Sequence, residues 1–580
     1  MMIVYGSTPN FVISYDSSFS TATPSGSTMS QAIMDMCEYD LTRLSMLFGG
    51  ILPPPANLPI KVQLIVGSGG ASNNEVNNIW CNCNSSTYLP GLPSLVVAEL
   101  AEILMNVQTR GWVPGYSNGE ALSRVSAQIL YPSLAWLWST GQSWLSGDPM
   151  SPNAARSNFV DNVWHSDQDS VSTGCGSIFL NYLAYQLGYK WTDIYQAGAP
   201  TTNTLKETAT TLGVTNAWTN FINLINTNLP PGASLPAQPT SFGQPPEPTD
   251  NPFPYGTVAT PPLLYMRHNL ADTGTSHTGS LADSPDIILK NSPVSNPQAT
   301  YSTPATIASD TESDPDVLTG QANTVYLRVW NRGGDATNVF ATVYWSPPAT
   351  LVTPNMWTLI GDAYYPDVPA GSIVEVSVPG VNWPADVLPG VGHDCFVAAV
   401  GNAYAPAPNP GSFANFTDYE NYIYANNNIT WRNFNVIAPP PSPHLHPIQL
   451  PFQIVGAWDE PRHFEMETHA ELPSGSLLTM QVAEWIGCQM NVGDMDAQRL
   501  EDSKTDPDCP RRLKISLPTK GSHKLGKVEL PKLTAAPSFL SVHIPEKLPS
   551  ETYKVYVRQL SDSREIGRIT WLIHPRKRSS

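Results

Sequence analysis

Residues 95–107 read Leu-Val-Val-Ala-Glu-Leu-Ala-Glu-Ile-Leu-Met-Asn-Val. Apolar side chains at Val96, Val97, Leu100, Ile103, Leu104 and Val107 fall around much of a helix's circumference rather than along one stripe. Such a helix is predicted to be central to a core. Glu99 and Glu102 interrupt it, three residues apart and therefore on one face. A carboxylate inside so apolar a helix must be paired, bound to a cation or protonated, because an isolated buried charge is strongly disfavoured.

Around this segment, residues 1–228 read as mixed at the start and helical afterwards. Apolar spacing predicts a helix over 30–48, and IKVQLIV at 60–66 reads as a buried strand. Residues 76–83 read as a second, edge strand. On it, Cys81 and Cys83 are expected to point to opposite faces and so to share no metal. Further helices are predicted over 119–130, 177–187, 205–212 and 215–226.

This order of helix, strand, edge strand and helix, then Ser117-Asn118-Gly119-Glu120-Ala121-Leu122-Ser123-Arg124 and Gly174-Cys175-Gly176, resembles the gluzincin branch of the zincin metallopeptidases. Zincins carry H-E-x-x-H on the active helix. The i, i+4 histidines bind zinc, and the glutamate activates the bound water. The resemblance covers about residues 30–228. It implies that Glu99 stands for the catalytic glutamate and Glu120 for the third metal ligand, with Ala98 and Glu102 where the histidines would be. Alanine binds no metal, and His165 is the only histidine before residue 260, so a two-histidine zinc site cannot be built here. What the correspondence leaves is a carboxylate cluster: Glu99 as a catalytic or vestigial residue, and Glu102 and Glu120 as candidate metal residues. No cofactor is expected; a divalent cation held by these oxygens would be Ca²⁺ or Mg²⁺ rather than Zn²⁺. Ion pairs to Arg124 or Arg110 are the structural alternative.

Other candidates are weaker. Cys175 with His165 and a neighbouring aspartate is an alternative nucleophilic pair. His444 and His446 sit in a proline-rich segment, and His463 and His469 flank Glu465 and Glu467 on a predicted strand. Asp310, Glu312, Asp314 and Asp316 alternate, a spacing open to calcium or to a solvated acidic loop.

Prolines punctuate the chain at 229–262 and 438–447, where extended, semi-rigid spacers are expected. Between and beyond them, short alternating runs such as TVYLRVW at 324–330, NVFATVYW at 338–345 and YKVYVRQL at 553–560 predict two β-sandwiches. SDSRE is expected to close the last hairpin. Thr324–Trp330 with Asn331-Arg332-Gly333-Gly334, Trp357-Thr358-Leu359-Ile360-Gly361 and Asn426-Asn427-Asn428-Ile429-Thr430-Trp431 resemble the CARDB-like adhesion-type sandwiches. That resemblance implies an immunoglobulin-type accessory module exposed outside the cell. The expected fold class is therefore multidomain: an α+β zincin-like helical domain at 1–228, a linker at 229–262, a CARDB-like sandwich at 263–437, a linker at 438–447 and a C-terminal sandwich at 448–580.

Composition restricts the function classes. The chain has 580 residues, too many for one core, and a formal net charge of −18. Residues 1–230 hold 7 basic and 14 acidic side chains, residues 231–440 hold 5 and 17, and the remainder hold 18 and 17. That distribution argues against nucleic acid as a partner, because phosphate binding needs clustered Lys and Arg. Of the seven cysteines, Cys488 and Cys509 are candidates for a disulfide. No stretch reaches the roughly 18 apolar residues of a membrane span. The first residues lack a basic segment followed by a long apolar one, so they do not read as a signal peptide. Extracellular or surface location is expected from the module resemblance, with the cytoplasm left open. The leading expectation is a non-catalytic, peptidase-like binding or assembly protein with a protein, peptide or glycan partner. A divergent metal-dependent hydrolase using Glu99, Glu102 and Glu120 and a self-associating structural subunit stay open beside it.

Overall fold

A computed structural model describes residues 1–198, 204–238, 246–257, 260–275, 279–314, 318, 321–384, 395–437, 447–491, 497–500, 512–545 and 552–573. The first sheet begins with β1 (Met2–Ser7) and β2 (Phe11–Asp16), an antiparallel hairpin. β3 (Ile60–Val66) runs parallel to β2. β4 (Ala71–Asn73) lies outside β5 (Asn78–Cys83), antiparallel to it, and β5 runs parallel to β3. The strand order is β1-β2-β3-β5-β4. The edge predicted at 76–83 is thus one strand further out. Gly69 and Gly70, at φ 64° and 77°, fold the chain so that 71–73 lie back against β5. Cys81 and Cys83 both point into the core, because residues two apart in a strand share a face. The expectation that they point apart is corrected.

Helices cover this sheet. The helix predicted over 30–48 is two, α1 (Gly26–Met34) and α2 (Cys37–Leu47), broken at Asp35 and Met36. α3 (Gly91–Gln108) is the apolar helix, with Val97, Leu100, Ile103 and Leu104 fully buried. It ends at Thr109 in the left-handed region. α4 (Ser117–Leu130), α5 (Gly141–Ser146) and α6 (Ser170–Asn181) follow. α6 starts well before the predicted residue 177 because Asp169 caps it, its Oδ2 accepting from the Ser172 amide at 3.0 Å. α7 (Trp191–Gln196), α8 (Leu205–Thr211) and α9 (Ala217–Asn228) complete the set.

The proline-rich stretch from 229 folds back onto these helices. Leu229, Leu235 and Phe253 join the N-terminal core. Asp250, 1% exposed, accepts from the Gly141 amide at 2.6 Å and the Ser139 hydroxyl at 2.7 Å, at the start of α5. Proline limits the local conformation of this stretch, and its buried side chains attach it to the domain.

The chain is multidomain, and strands dominate after residue 262. One sheet is built on Asn323–Asn331, with Leu264–Tyr265, Ile287–Lys290, Gly371–Val376 and Val381–Trp383 as its neighbours. A second runs Thr358–Val368, Ala336–Ser346, Cys395–Gly401, Ile429–Arg432. Val325, Leu327 and Val329 of the first share a core with Val339, Ala341 and Val343 of the second. In the C-terminal region, Arg564–Ile573 pairs with Tyr553–Ser561, and parallel to it runs Phe434–Ile437, which carries the chain from one region into the next. The last hairpin turns on Asp562 and Ser563, at φ 46° and 65°, so its connection is two residues rather than the predicted five.

Cys37, Cys81, Cys83 and Cys175 are buried outside any disulfide, Cys395 is buried with its thiol donating to Asn433 Oδ1 at 2.5 Å, and Cys488 is exposed. Cys509, His444, His446 and Asp316 lie outside the described residues. Asp314 Oδ1 takes up Lys290 Nζ at 2.6 Å, and His469 stacks on Tyr556 and meets Ser522 at 2.9 Å. Among the described residues, no helix is long and apolar enough to cross a membrane.

Candidate functional site

α3 delivers Glu99 and Glu102 to one side of the N-terminal domain, facing β4. Each is 9% exposed. Asn73, the last residue of β4, bridges them. Its Nδ2 donates to Glu99 Oε2 at 2.8 Å and to Glu102 Oε2 at 2.7 Å, while its Oδ1 accepts from the Glu75 amide at 2.5 Å. Glu120 arrives from the first turn of α4 and hydrogen-bonds Glu102. Its Oε1 also accepts from the Gly115 amide at 3.3 Å. The loop before α4 folds tightly onto its first turn because residue 119 is glycine: a Cβ there would stand 2.1 Å from the Val113 carbonyl oxygen. The three glutamates singled out by sequence therefore converge. Asn73, the residue that joins two of them, was not foreseen. Its only trace in the sequence is the asparagine-rich turn at 73–78.

Burial raises all three carboxyls. Glu99 is pushed up to about 7, chiefly by desolvation, with the Asn73 hydrogen bond opposing and the Glu120 charge adding to the rise. Glu102 is pushed up to about 9 by burial and then by Glu120 and Glu99. Glu120 is raised by burial, and the Arg124 guanidinium one turn along α4 works against the rise. Glu102 thus holds a proton near neutral pH and donates to the Glu120 carboxylate, as expected where like charges crowd a dry site. Arg124 Nε is itself buried with no hydrogen-bond partner among the described residues.

The cluster floors a cleft of about 790 Å³. Gly69 to Asn73 form one wall; Tyr88, Leu92, Leu95, Leu137 and Trp138 form an apolar one; Asp167 and Gln168 close an end. Main-chain bonds from Gly70 and Asn74 tie β4 to β5, at 3.0 and 3.1 Å. Alternation along an antiparallel pair then turns the N–H and C=O of Ala71 and Asn73 away from the sheet, toward the cleft side.

The residues do not fit a zinc ion. Ala98 lines the cleft without a donor atom, and the group between Glu99 and Glu102 is an amide NH₂, which donates where a cation would need acceptors. Among the described residues, no group of three or more His, Cys, Asp or Glu is arranged to hold a metal ion. The alternative Cys175–His165 pair does not form. Cys175 is fully buried with its thiol pushed up to about 12 by desolvation. His165 stacks on Tyr116 with ring centres 4.3 Å apart.

No family model and no curated protein matches the chain. Among solved structures, it is similar to the N-terminal domain of PorA, at 8% identity over 25% of this chain and 87% of that one, with a TM-score of 0.15. It is also similar to CfaE, the adhesive subunit of CFA/I fimbria of enterotoxigenic Escherichia coli, at 8% identity over 54% and 93% of the two chains, with a TM-score of 0.12. A third likeness is to the C-terminal globular domain of an oligosaccharyltransferase from Pyrococcus abyssi, at 11% identity over 43% and 44%, with a TM-score of 0.10. Scores this low carry no argument about fold or function.

Proposed function

We propose that residues 1–228 are a gluzincin-like, non-catalytic peptide-binding domain, carried on immunoglobulin-type sandwiches that display or assemble it outside the cell. The observation that carries this reading is the open edge of β4 along a cleft floored by donors and acceptors. An extended peptide can add to that edge as another strand. Ala71 and Asn73 offer it main-chain N–H and C=O, the Glu120 carboxylate offers further acceptor capacity, and the wall of Tyr88, Leu92 and Trp138 takes apolar side chains. The order β3, β4, β5, α3, α4 supports the zincin-like reading, and the facing sheets after residue 262 support the CARDB-like one. The missing histidines support a binding role over zinc chemistry.

The test is retention of peptides from denatured casein by the full chain, with amide exchange followed across 71–73. Binding with protection of those amides is expected. Ala71→Pro, which removes one outward N–H while leaving the bonds of Gly70 and Asn74 to β5, is expected to abolish it without lowering the melting temperature. A wild-type chain that retains no peptide sinks the proposal.

A second reading, a divergent hydrolase with Glu99 as general base, is favoured by one observation: Glu99 is raised to about 7, where a base is poised for work at neutral pH. Cleavage products from the same peptides that vanish in Glu99→Gln would establish it.

A further inference from the structure

A second cleft, of about 500 Å³, opens between the helical domain and the first strand-rich region. Its two sides are fixed relative to one another. Asn338, at φ 50°, donates through Nδ2 to the Tyr189 carbonyl at 2.9 Å and to the Ala184 carbonyl at 3.3 Å; its Oδ1 accepts from the Trp191 amide at 3.2 Å. Lys190 pairs with Asp367, the Tyr39 hydroxyl donates to the Asp362 carbonyl at 3.3 Å, and Asn382 Nδ2 donates to the Asp35 carbonyl at 2.8 Å. The opening between these contacts is therefore preformed, as ligand sites at domain junctions commonly are.

Its lining has a distinct chemistry. Half-buried aromatic rings come from both sides, Trp136 and Tyr185 from the helical domain and Phe340 and Tyr344 from the strands. Between them stand side-chain amides and two buried carboxyls, Asp250 and Asp362, with no lysine, arginine or histidine among the lining residues. Burial raises both carboxyls, Asp362 to about 6. Thr249 Oγ1, also on the lining, is buried and meets no hydrogen-bond partner among the described residues. A phosphate or carboxylate ligand would find no cation here and two acids. A purely apolar ligand would leave the Thr249 hydroxyl unsatisfied. A flat molecule with apolar ring faces and many neutral hydroxyls satisfies both halves of the lining. We infer that this interdomain cleft is a binding site for a neutral oligosaccharide, separate from the carboxylate cleft and independent of the peptide-binding reading.

The experiment is titration of the full chain, by calorimetry and tryptophan fluorescence, with neutral hexasaccharides of glucose, N-acetylglucosamine, mannose and xylose, and with a sialylated oligosaccharide. At least one neutral sugar is expected to bind with a dissociation constant on the order of 0.1–1 mM. Trp136→Ala is expected to weaken it by about tenfold or more, Trp136→Phe to restore most of it by keeping a ring face, and Tyr88→Ala in the other cleft to leave it unchanged. Melting temperatures of the variants confirm the fold. The inference is overturned if no neutral sugar binds the wild type, if the sialylated sugar binds equally well, or if binding responds to Tyr88→Ala and not to Trp136→Ala.

Discussion

Two regions of this molecule bury carboxylates, and they do so in opposite ways. Asp286, fully buried in the first strand-rich region, is surrounded by donors. Arg267 reaches it through Nη2 at 2.6 Å and through its amide at 2.8 Å; Trp330 Nε1 donates at 2.9 Å; and Arg328 stands 3.9 Å away. Arg328 spends its other donors on the carbonyls of Tyr301, Pro285 and Thr306. Each of these charged groups has a counterpart. Glu99, Glu102 and Glu120 instead crowd one another at the floor of an open cleft, joined by a single amide and by a proton between two of them. A saturated buried carboxylate locks strands together. An under-compensated set facing a cavity keeps hydrogen-bonding capacity for something that enters, and perturbed carboxyls in clefts are a mark of functional sites.

The comparison breaks most visibly if the under-compensated site is given a cation. Ala98 and Glu102 lie four residues apart on α3, so Ala98→His with Glu102→His rebuilds two imidazoles on one face beside Glu120. The double variant is expected to hold one zinc ion with a dissociation constant of micromolar or tighter, roughly 8 kcal/mol of binding, read by metal analysis after gel filtration. The wild type's melting temperature is expected not to move with chelator. A well-folded double variant that holds no zinc would show that positions 98, 102 and 120 do not correspond to the gluzincin ligands. A chelator-induced drop in the wild type, absent from Glu120→Ala, would reveal a cation site there.

The saturated site gives the next largest effect. Asp286→Ala strands Arg267 and Arg328 in a buried region, and breaking such a network from one side costs about 3–5 kcal/mol. Urea unfolding of the variant measures it. A loss below about 1 kcal/mol would mean that the two arginines find other partners and that saturation is not what holds these strands.

Much of this contrast is legible in the sequence, and the rest is hidden for identifiable reasons. α3 is readable because its apolar residues encircle it, and the burial of Glu99 and Glu102 follows from that pattern. Glu120 is reached only through the family resemblance. Asn73 is invisible, since it lies beyond a tight glycine turn and meets α3 across 26 residues of chain. The edge strand is misplaced for the same reason: three residues are too few to show a period of two. The interdomain cleft leaves no local trace at all. Its rings come from segments 208 residues apart at the extremes named here, Trp136 and Tyr344, and each reads locally as ordinary core.

The smallest expected effect tests the proton in the carboxylate cluster. Glu99 and Glu102 have folded-state pKa values of about 7 and about 9 against 4.5 for the free side chain. The folded chain therefore holds protons that the unfolded chain has released. Their contribution to stability is fully present below about pH 4.5 and is lost as pH rises through 7 and on toward 9. Stability should fall across that window, most steeply between about pH 5.5 and 6.5, at a rate bounded by about 1.4 kcal/mol per pH unit for each proton. Glu102→Gln keeps the shape and a donor toward Glu120 but cannot ionise. It is expected to match the wild type near pH 5, to exceed it by about 1–2 kcal/mol at pH 6–6.5, and to flatten the slope. Other buried acids, such as Asp40, raised to about 7, contribute the same sign of slope to both proteins, so the difference between the two curves isolates the cluster. Parallel curves for wild type and variant would mean that Glu102 is ionised in the fold, and the proton that joins it to Glu120 would not exist.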